Sequence, residues 1–459
     1  MSELPSPNPD PGAAETLRRV FDSVRYSEHT IEELLGEDVY STGAAEAVVH
    51  DRRLPQTQIG AVIRSCFLGL PIATGDVPTR FVEAYVASGL AEVLDGRLVP
   101  HARIAPVQDV YLASDGYSRG EDPSGYVATY TPTARTLDLL TPRGHVHRAL
   151  DVGTGPGTHA LLAARHSDHV VATDVNPRAL AFTQLNVLLN GVDNVEARAG
   201  SLFEPVAGET FDLIVCNAPF VVSPESRFTY RDTGLPADEL SRRIVAAVPE
   251  HLADDGVAAV LVSWVAEDPD DPDERIFRWL DGNGCDAWVL GISGADPLSH
   301  AAGWNDYLHH DPERFAAALD EWVAYFRSLG IQWISEGAVL LHRRAGETAI
   351  RFDAIDDEEL EDGAGAQIER FFATQAHIAE RGILGERIRL AADARIERDF
   401  EGDEVVEARL RLDGGLGFER ELDEVEEEVV AALNGSPFED ARRVELVEDL
   451  LDQGFLEFA

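Results

Sequence analysis

Apolar positions along the middle of this chain fall into two alternating rhythms. Short, nearly continuous apolar runs end on small or polar residues, and stretches with apolar residues three and four apart follow them. The runs predict strands at Arg148–Val152, His169–Asp174, Asn194–Ala199, Phe211–Asn217, Gly256–Val265, Cys285–Ile292 and Gly337–Arg343. The intervening stretches predict helices at Gly157–His166, Pro177–Asn190, Asp238–Leu252, Asp273–Asn283 and Pro312–Leu329. Strand and helix in alternation are the signature of a parallel sheet covered on both faces, so the expected class is α/β with seven strands, the last two forming an antiparallel hairpin. An aromatic and polar insert, Pro297–Asp311, interrupts that hairpin.

The flanks follow a different pattern. Thr16–Val24, Thr30–Leu35, Glu46–Val49, Ile59–Leu68 and Thr79–Ser88 have helical spacing, and an Asp95-Gly96 turn then joins two short strands between Leu90 and Val99. Helix, helix and hairpin are the order of a winged-helix module. Its second helix carries one Arg and one Glu (Arg80 and Glu83), which favours packing or a protein contact over DNA. Pro106–Gly125 is a connector, with strand character at Asp109–Ser114 and a long polar loop from Gly116 to Gly125 of the kind that often serves as a lid. After Ala345 comes an acidic stretch, Asp353–Asp362, read as a linker or solvated edge, then an amphipathic segment, Ala366–Arg381. Strands at Ile388–Leu390 and Val406–Leu412 follow, then helices at Val425–Leu433 and Val444–Asp452 and a last strand at Gly454–Phe458. The expected organisation is a disordered tail (1–13), an N-terminal helical, winged-helix-like module (14–108), the α/β domain (109–347) and an acidic C-terminal helical, winged-helix-like module (348–459).

Charge narrows the partners. The chain has 83 acidic and 38 basic residues, a net charge of −45, and every basic residue is Arg. A GC-rich genome and a salt-rich cytoplasm both push composition this way. A broad basic face for non-specific nucleic-acid binding is disfavoured. The three cysteines show neither disulfide nor zinc spacing, and no metal is expected. No signal-peptide pattern and no apolar run near 18 residues are present, so the expectation is a cytoplasmic protein with no membrane partner.

Three strand ends carry the candidate chemistry. Asp151-Val152-Gly153-Thr154-Gly155-Pro156-Gly157 joins a strand to a helix, and its glycines let the backbone turn sharply and approach a ligand. The acid at its front is placed to meet an ammonium group. A second acid, Asp174, ends the next strand, where a carboxylate hydrogen-bonds a ribose diol. An adenosine-bearing ligand follows, with S-adenosylmethionine favoured over NAD. The third end is Asn217-Ala218-Pro219-Phe220.

The run D-L-I-V-C-N-A-P-F resembles the N-P-P-F/Y motif of class I S-adenosylmethionine-dependent amino-methyltransferases. These include the HemK-type protein glutamine enzymes, the small-domain rRNA enzymes and the adenine-N6 enzymes. The resemblance implies a Rossmann-like core and S-adenosylmethionine as cofactor. It makes Asn217 and the carbonyl of Ala218 acceptors for the two hydrogens of a planar NH2 group, with Pro219 in the loop and Phe220 as the stacking aromatic. The chain departs from the motif at Ala218, where the family usually has Pro, which puts loop rigidity in question. The implied cofactor set is Asp151, Gly153, Thr154, Gly155, Gly157, Asp174, Val175, Ser201, Leu202 and Asn217, with Ser201 standing where the family often has an acid.

Tyr130-Thr131-Pro132-Thr133-Ala134-Arg135-Thr136 resembles the Y-x-P-x-x-x-T lead-in of HemK-type enzymes, which makes Tyr130 and Thr136 substrate-side candidates; helix capping is the other reading. Tyr230, Arg231 and Asp232, after the N-A-P-F loop, are candidates to contact substrate or to anchor the loop. His159, at the start of the helix after the glycine loop, reads as helix surface, with a cofactor contact as the alternative; His300, Trp304, Tyr307, His309 and His310 cluster in the insert without a full set of metal ligands, a substrate-side wall being the lesser reading. The layout also resembles a group of multi-domain actinobacterial methyltransferases through R-A-L-D-V-G-T-G, V-V-A-T-D-V-N-P-R-A-L-A-F and Y-R-D-T-G-L. The expected activity is methyl transfer to a planar nitrogen, with a glutamine or asparagine amide of a protein or peptide favoured. An exocyclic base amine of rRNA, tRNA or DNA, a non-catalytic adapter and a dehydrogenase are the alternatives.

Overall fold

The computed structural model describes residues 4–36, 39–40, 46–116, 125–225, 234–346, 348–401 and 404–459. Its centre is an eight-stranded sheet. In chain order the strands are β1 (Val146–Val152), β2 (Ser167–Asp174), β3 (Val195–Ala199), β4 (Phe211–Cys216), β5 (Leu252–Ala266), β6 (Cys285–Ala295), β7 (Trp333–Arg343) and β8 (Ile350–Ala354). Across the sheet they run β8-β6-β7-β5-β4-β1-β2-β3. β1 to β5 pair in parallel, β7 runs antiparallel between β5 and β6, and β8 pairs in parallel with β6. The seven expected strands are all present. An eighth strand was not expected: β8 is Ile-Arg-Phe-Asp-Ala, its last two residues begin the stretch read as a linker or solvated edge, and its Arg351 and Asp353 pair with each other.

Strand order reverses at β1, where β4 lies on one side and β2 on the other, and ligands bind at such switch points in open α/β sheets. Nearly every residue of β1, β4 and β5 at this level is apolar and buried, as a sheet covered on both faces requires. One face, with Val152, Ile214, Val260 and Val339, packs against helices Glu239–His251 and Glu274–Leu280. The other face, with Ala149, Val215, Leu261 and Leu340, packs against Pro132–Leu140, Thr158–Ala163 and the C-terminal helix Ala364–Arg381. That last helix brings Phe371 onto Trp288, with ring centroids 4.1 Å apart.

The N-terminal segment shares its core with the central domain. Leu17, Phe21, Phe67 and Phe81 cluster with Ala179, Phe182, Leu185 and Leu189 of helix Pro177–Asn190. Within it, strand Ile72–Ala73 and the hairpin Ala91–Leu94/Arg97–Pro100 build a three-stranded sheet, with helix Thr79–Ala87 between them in sequence. A second hairpin, Ala102–Val107/Val110–Asp115, turns through Gln108 and Asp109, both at positive φ. The expected disordered tail is not seen in its described part. The Arg178 side chain donates to Pro5 O at 2.8 Å, Asn8 N donates to Ser88 O at 2.8 Å, and Asp10 caps a helix that begins at Pro11. Local polarity and proline content predicted disorder, but distant partners satisfy this backbone.

In the C-terminal segment, strands Arg387–Leu390, Asn434–Pro437 and Leu456–Phe458 form one small sheet, and Ala394–Glu401, Glu404–Leu412 and Glu419–Glu421 form another. Helices Glu424–Ala432 and Val444–Asp452 complete it. Among the described residues, no helix is long and apolar enough to cross a membrane.

Candidate functional site

The three loops named by the sequence meet at the carboxyl edge of β1, β2 and β4. The glycine loop is tied to β2 by its own backbone: Gly153 N and Thr154 N both donate to Thr173 O at 2.9 Å. Gly155 N then donates to Asp174 Oδ2 at 2.9 Å. Gly153 and Gly155 have φ of +72° and +56°, a region that costs an L side chain about 1–2 kcal/mol. A Cβ at Gly153 would also lie 3.4 Å from Ala218 Cα, so the first and third loops touch. A Cβ at Gly155 would meet nothing within 4 Å, because that peptide faces open space.

Asp151 is 2% exposed. Its Oδ2 accepts from Thr154 Oγ1 at 2.6 Å and from Ala160 N at 2.9 Å, while its Oδ1 has no hydrogen-bond partner among the described residues. Burial pushes the carboxyl up to about 7; the two hydrogen bonds oppose the shift and the nearby Asp174 adds to it. An orphaned buried carboxylate oxygen beside a glycine turn is a site that a cation would stabilise. Asp174 is also raised by burial, against bonds from Asn176 N at 2.8 Å and Gly155 N. Val175, next to it, is 64% exposed, an uncovered apolar surface at the edge of the site.

The loop after β3 is stitched to the same place. Gly200 N donates to Asp174 O at 3.0 Å, and the Thr173 hydroxyl donates to Leu202 O at 3.2 Å. Leu202 has φ of +48°, while Ser201 is exposed. At the end of β4, Ala218 is buried and Asn217 half-buried, and no hydrogen bond to the Asn217 side chain forms among the described residues. Phe220 packs, partly buried, against the apolar cluster that also holds Leu137 and Leu140 of the lead-in helix.

Other candidates have different surroundings. The Tyr130 hydroxyl lies 3.4 Å from Asp138 Oδ2, and burial pushes its phenol up to about 12. The buried Thr136 hydroxyl donates to Pro132 O at 3.1 Å. Neither is hydrogen-bonded to the three loops, and the capping role in this segment belongs to Thr131, which accepts from Ala134 N. Tyr230, Arg231 and Asp232 lie outside the described residues. His159 is not on a helix surface: every residue of helix Thr158–Ala163 is buried, and desolvation next to Arg143 pushes His159 down to about 3. The insert histidines separate, with His309 and His310 exposed and His300 buried. Sequence reasoning missed Glu336, whose carboxylate accepts from Trp304 Nε1 at 3.2 Å; an acid opening the otherwise apolar run of β7 was its only signal. Among the described residues, no group of three His, Cys, Asp or Glu could hold a metal ion.

Comparison with known proteins gives the same region a context. A family model described as "Methyltransferase small domain" matches residues 133–264. The chain is 31% identical over 240 residues to a ribosomal protein uL3 glutamine methyltransferase of Bradyrhizobium diazoefficiens, an alignment covering 48% of this chain and 70% of that protein. It is 38% identical over 199 residues to the uL3 glutamine methyltransferase of Bordetella pertussis, covering 36% and 66% respectively. It is 36% identical over 143 residues to a release factor glutamine methyltransferase of Geobacter sulfurreducens, covering 28% and 50%.

Proposed function

The chain belongs to the S-adenosylmethionine-dependent glutamine methyltransferase family, and on that premise we propose that it methylates the side-chain amide nitrogen of a glutamine in a protein. The observation that carries the reading is the Asn217–Phe220 loop at the end of β4. It sits against Gly153 of the glycine loop, and the Asn217 amide is left without a hydrogen-bond partner among the described residues.

The residues fit the cofactor. Asp151 Oδ1, buried and unpaired among the described residues, suits the methionyl ammonium of the cofactor; Gly155 leaves space beside it; Asp174 suits a ribose diol. Exposed Val175 and half-buried Leu202, whose carbonyl is held by Thr173, suit the faces of a purine. When bound, S-adenosylmethionine supplies a methyl group already activated on a sulfonium. The protein supplies position. An amide nitrogen is a poor nucleophile because its lone pair is delocalised into the carbonyl. Asn217 Oδ1 and the Ala218 carbonyl accept its two hydrogens, which fixes the plane of the group and aims the nitrogen for in-line displacement. Phe220 offers a face for the planar amide to stack on. Tyr130, Thr136, Tyr230 and Arg231 are assigned to the substrate side, and the flanking winged-helix-like modules to presenting a protein target in the cytoplasm.

The test is transfer of tritiated methyl from S-adenosylmethionine to cell extract, followed by protease or nuclease. Label lost to protease and recovered as N5-methylglutamine after exhaustive enzymatic digestion, or as methylamine after acid hydrolysis, supports the reading. Label lost to nuclease moves the acceptor to a base amine.

A further inference from the structure

Resting on that reading, we propose that His300 is a positioning residue for the acceptor loop. It holds the backbone beyond Phe220 at Val222, and so provides from outside the rigidity that alanine at 218 gives up. A proline at 218 would lock φ; alanine leaves it free, and only Pro219 restrains it from the following position. The loop is nevertheless gripped at both ends. At its start Ala218 packs on Gly153. At its far end Val221 and Val222 are 3% and 0% exposed, in a cluster with Ala301, Trp322, Phe326 and Ile334.

His300 makes the polar half of that second grip. Its Nε2 lies 3.0 Å from Val222 O. A carbonyl only accepts, so Nε2 carries the proton and Nδ1 is the nitrogen turned toward Glu336, 3.8 Å from Oε1. Glu336 is itself held by Trp304 Nε1 and by the Ser293 hydroxyl. Sheet register puts this array at the right edge. β5 pairs Val260 with Cys216 on one side and Ser263 with Glu336 on the other, so Glu336 lies at the same end of the sheet as the Asn217 loop. The helix that carries His300, Pro297–Trp304, is fixed at its start by Asp296, which accepts from Leu298 N at 2.9 Å and Ser299 N at 3.2 Å. The imidazole packs 5.7 Å from the Phe326 ring and 6.0 Å from the Trp322 ring, so it cannot swing away without opening the cluster.

The experiment reads the loop and the reaction separately, in the full-length protein. His300→Leu removes the donor; His300→Gln keeps an amide N–H that reaches the same carbonyl; His300→Asn is too short to reach it. Expected for His300→Leu are roughly tenfold faster amide exchange across residues 217–222 and a kcat lower by roughly ten- to a hundredfold, as for a displaced reacting group. KM and S-adenosylhomocysteine affinity stay within about threefold, because the loop's grip and not the cofactor contacts is lost. His300→Gln stays near wild type. Adding Ala218→Pro to His300→Leu recovers most of the lost kcat. Exchange and kcat within about twofold of wild type in His300→Leu, cofactor affinity falling in step with kcat, or no recovery by Ala218→Pro overturns the proposal. Should His300→Leu fail to fold, the Gln and Asn variants carry the same contrast. A wild-type protein that transfers no methyl to any protein defeats the proposed function instead, and the exchange comparison still decides the role of His300.

Discussion

Replacing Asp151 with Asn should make the ligand-free protein more stable at neutral and mildly alkaline pH while destroying cofactor binding. In the free protein, burial raises this carboxyl from 3.8 to about 7, with Oδ1 unpaired. The folded state therefore binds a proton that the unfolded chain has already released. A carboxyl raised on folding contributes its full stability below the unfolded value and loses it as pH rises to the folded value. The window here runs from about pH 4 to about pH 7, and a shift of roughly three units at about 1.36 kcal/mol each amounts to about 4 kcal/mol. Asn keeps an oxygen for Thr154 and Ala160 and carries no charge, so Asp151→Asn removes this slope. The assay is thermal or urea unfolding of both proteins, without ligand, from pH 5 to pH 8. Wild type should lose about 2–3 kcal/mol over that range relative to the variant. Calorimetry at pH 6.5 in buffers of different ionisation enthalpy should show proton release when S-adenosylmethionine binds wild type, because an ammonium beside Oδ1 draws the carboxyl down. Parallel pH profiles for the two proteins, or cofactor binding to wild type without proton release, would mean that Asp151 does not hold a proton in the free folded protein.

Three further outcomes test other links. Asn217→Ala should lower kcat by about a hundredfold or more with S-adenosylhomocysteine affinity within a few-fold, measured by single-turnover kinetics and calorimetry, since one positioned acceptor is lost. Gly153→Val should cost cofactor affinity at least about tenfold by titration, because φ of +72° and Ala218 Cα both oppose a branched side chain. Arg178→Met should destabilise the protein by about 3–5 kcal/mol in denaturant, because Asp115, 3% exposed, loses its buried guanidinium partner. The same change should speed proteolysis near Pro5, whose carbonyl Arg178 also holds.

The central domain was readable because its constraints are local. A buried parallel strand must be apolar along its length, and the turn that leaves it needs glycine at positive φ. The pattern from Ala149 to Phe220 states both, so β1, β2 and β4 and their three loops could be placed from letters alone. What escaped were features whose partners lie far away in the chain. β8 carries too much charge to read as a strand until its position at the sheet edge beside β6 is known. Residues 4–10 look like a tail until Ser88 and Arg178 supply their bonds. His159 looks like a surface residue until the helix that carries it is found to be wholly enclosed.

Residues close together in the chain were enough for the fold class, the three strand-end loops and the expected chemistry, whereas the strand order that brings those loops to one switch point came from the folded sheet. How the odd letter at 218 is accommodated depends on contacts that form across the fold. Ala218 rests on Gly153, sixty-five positions back, and Val222 is tied to His300, seventy-eight positions on. Rigidity that a proline would encode in one residue is here shared among contacts across the sheet edge, and such contacts exist only once the chain has folded.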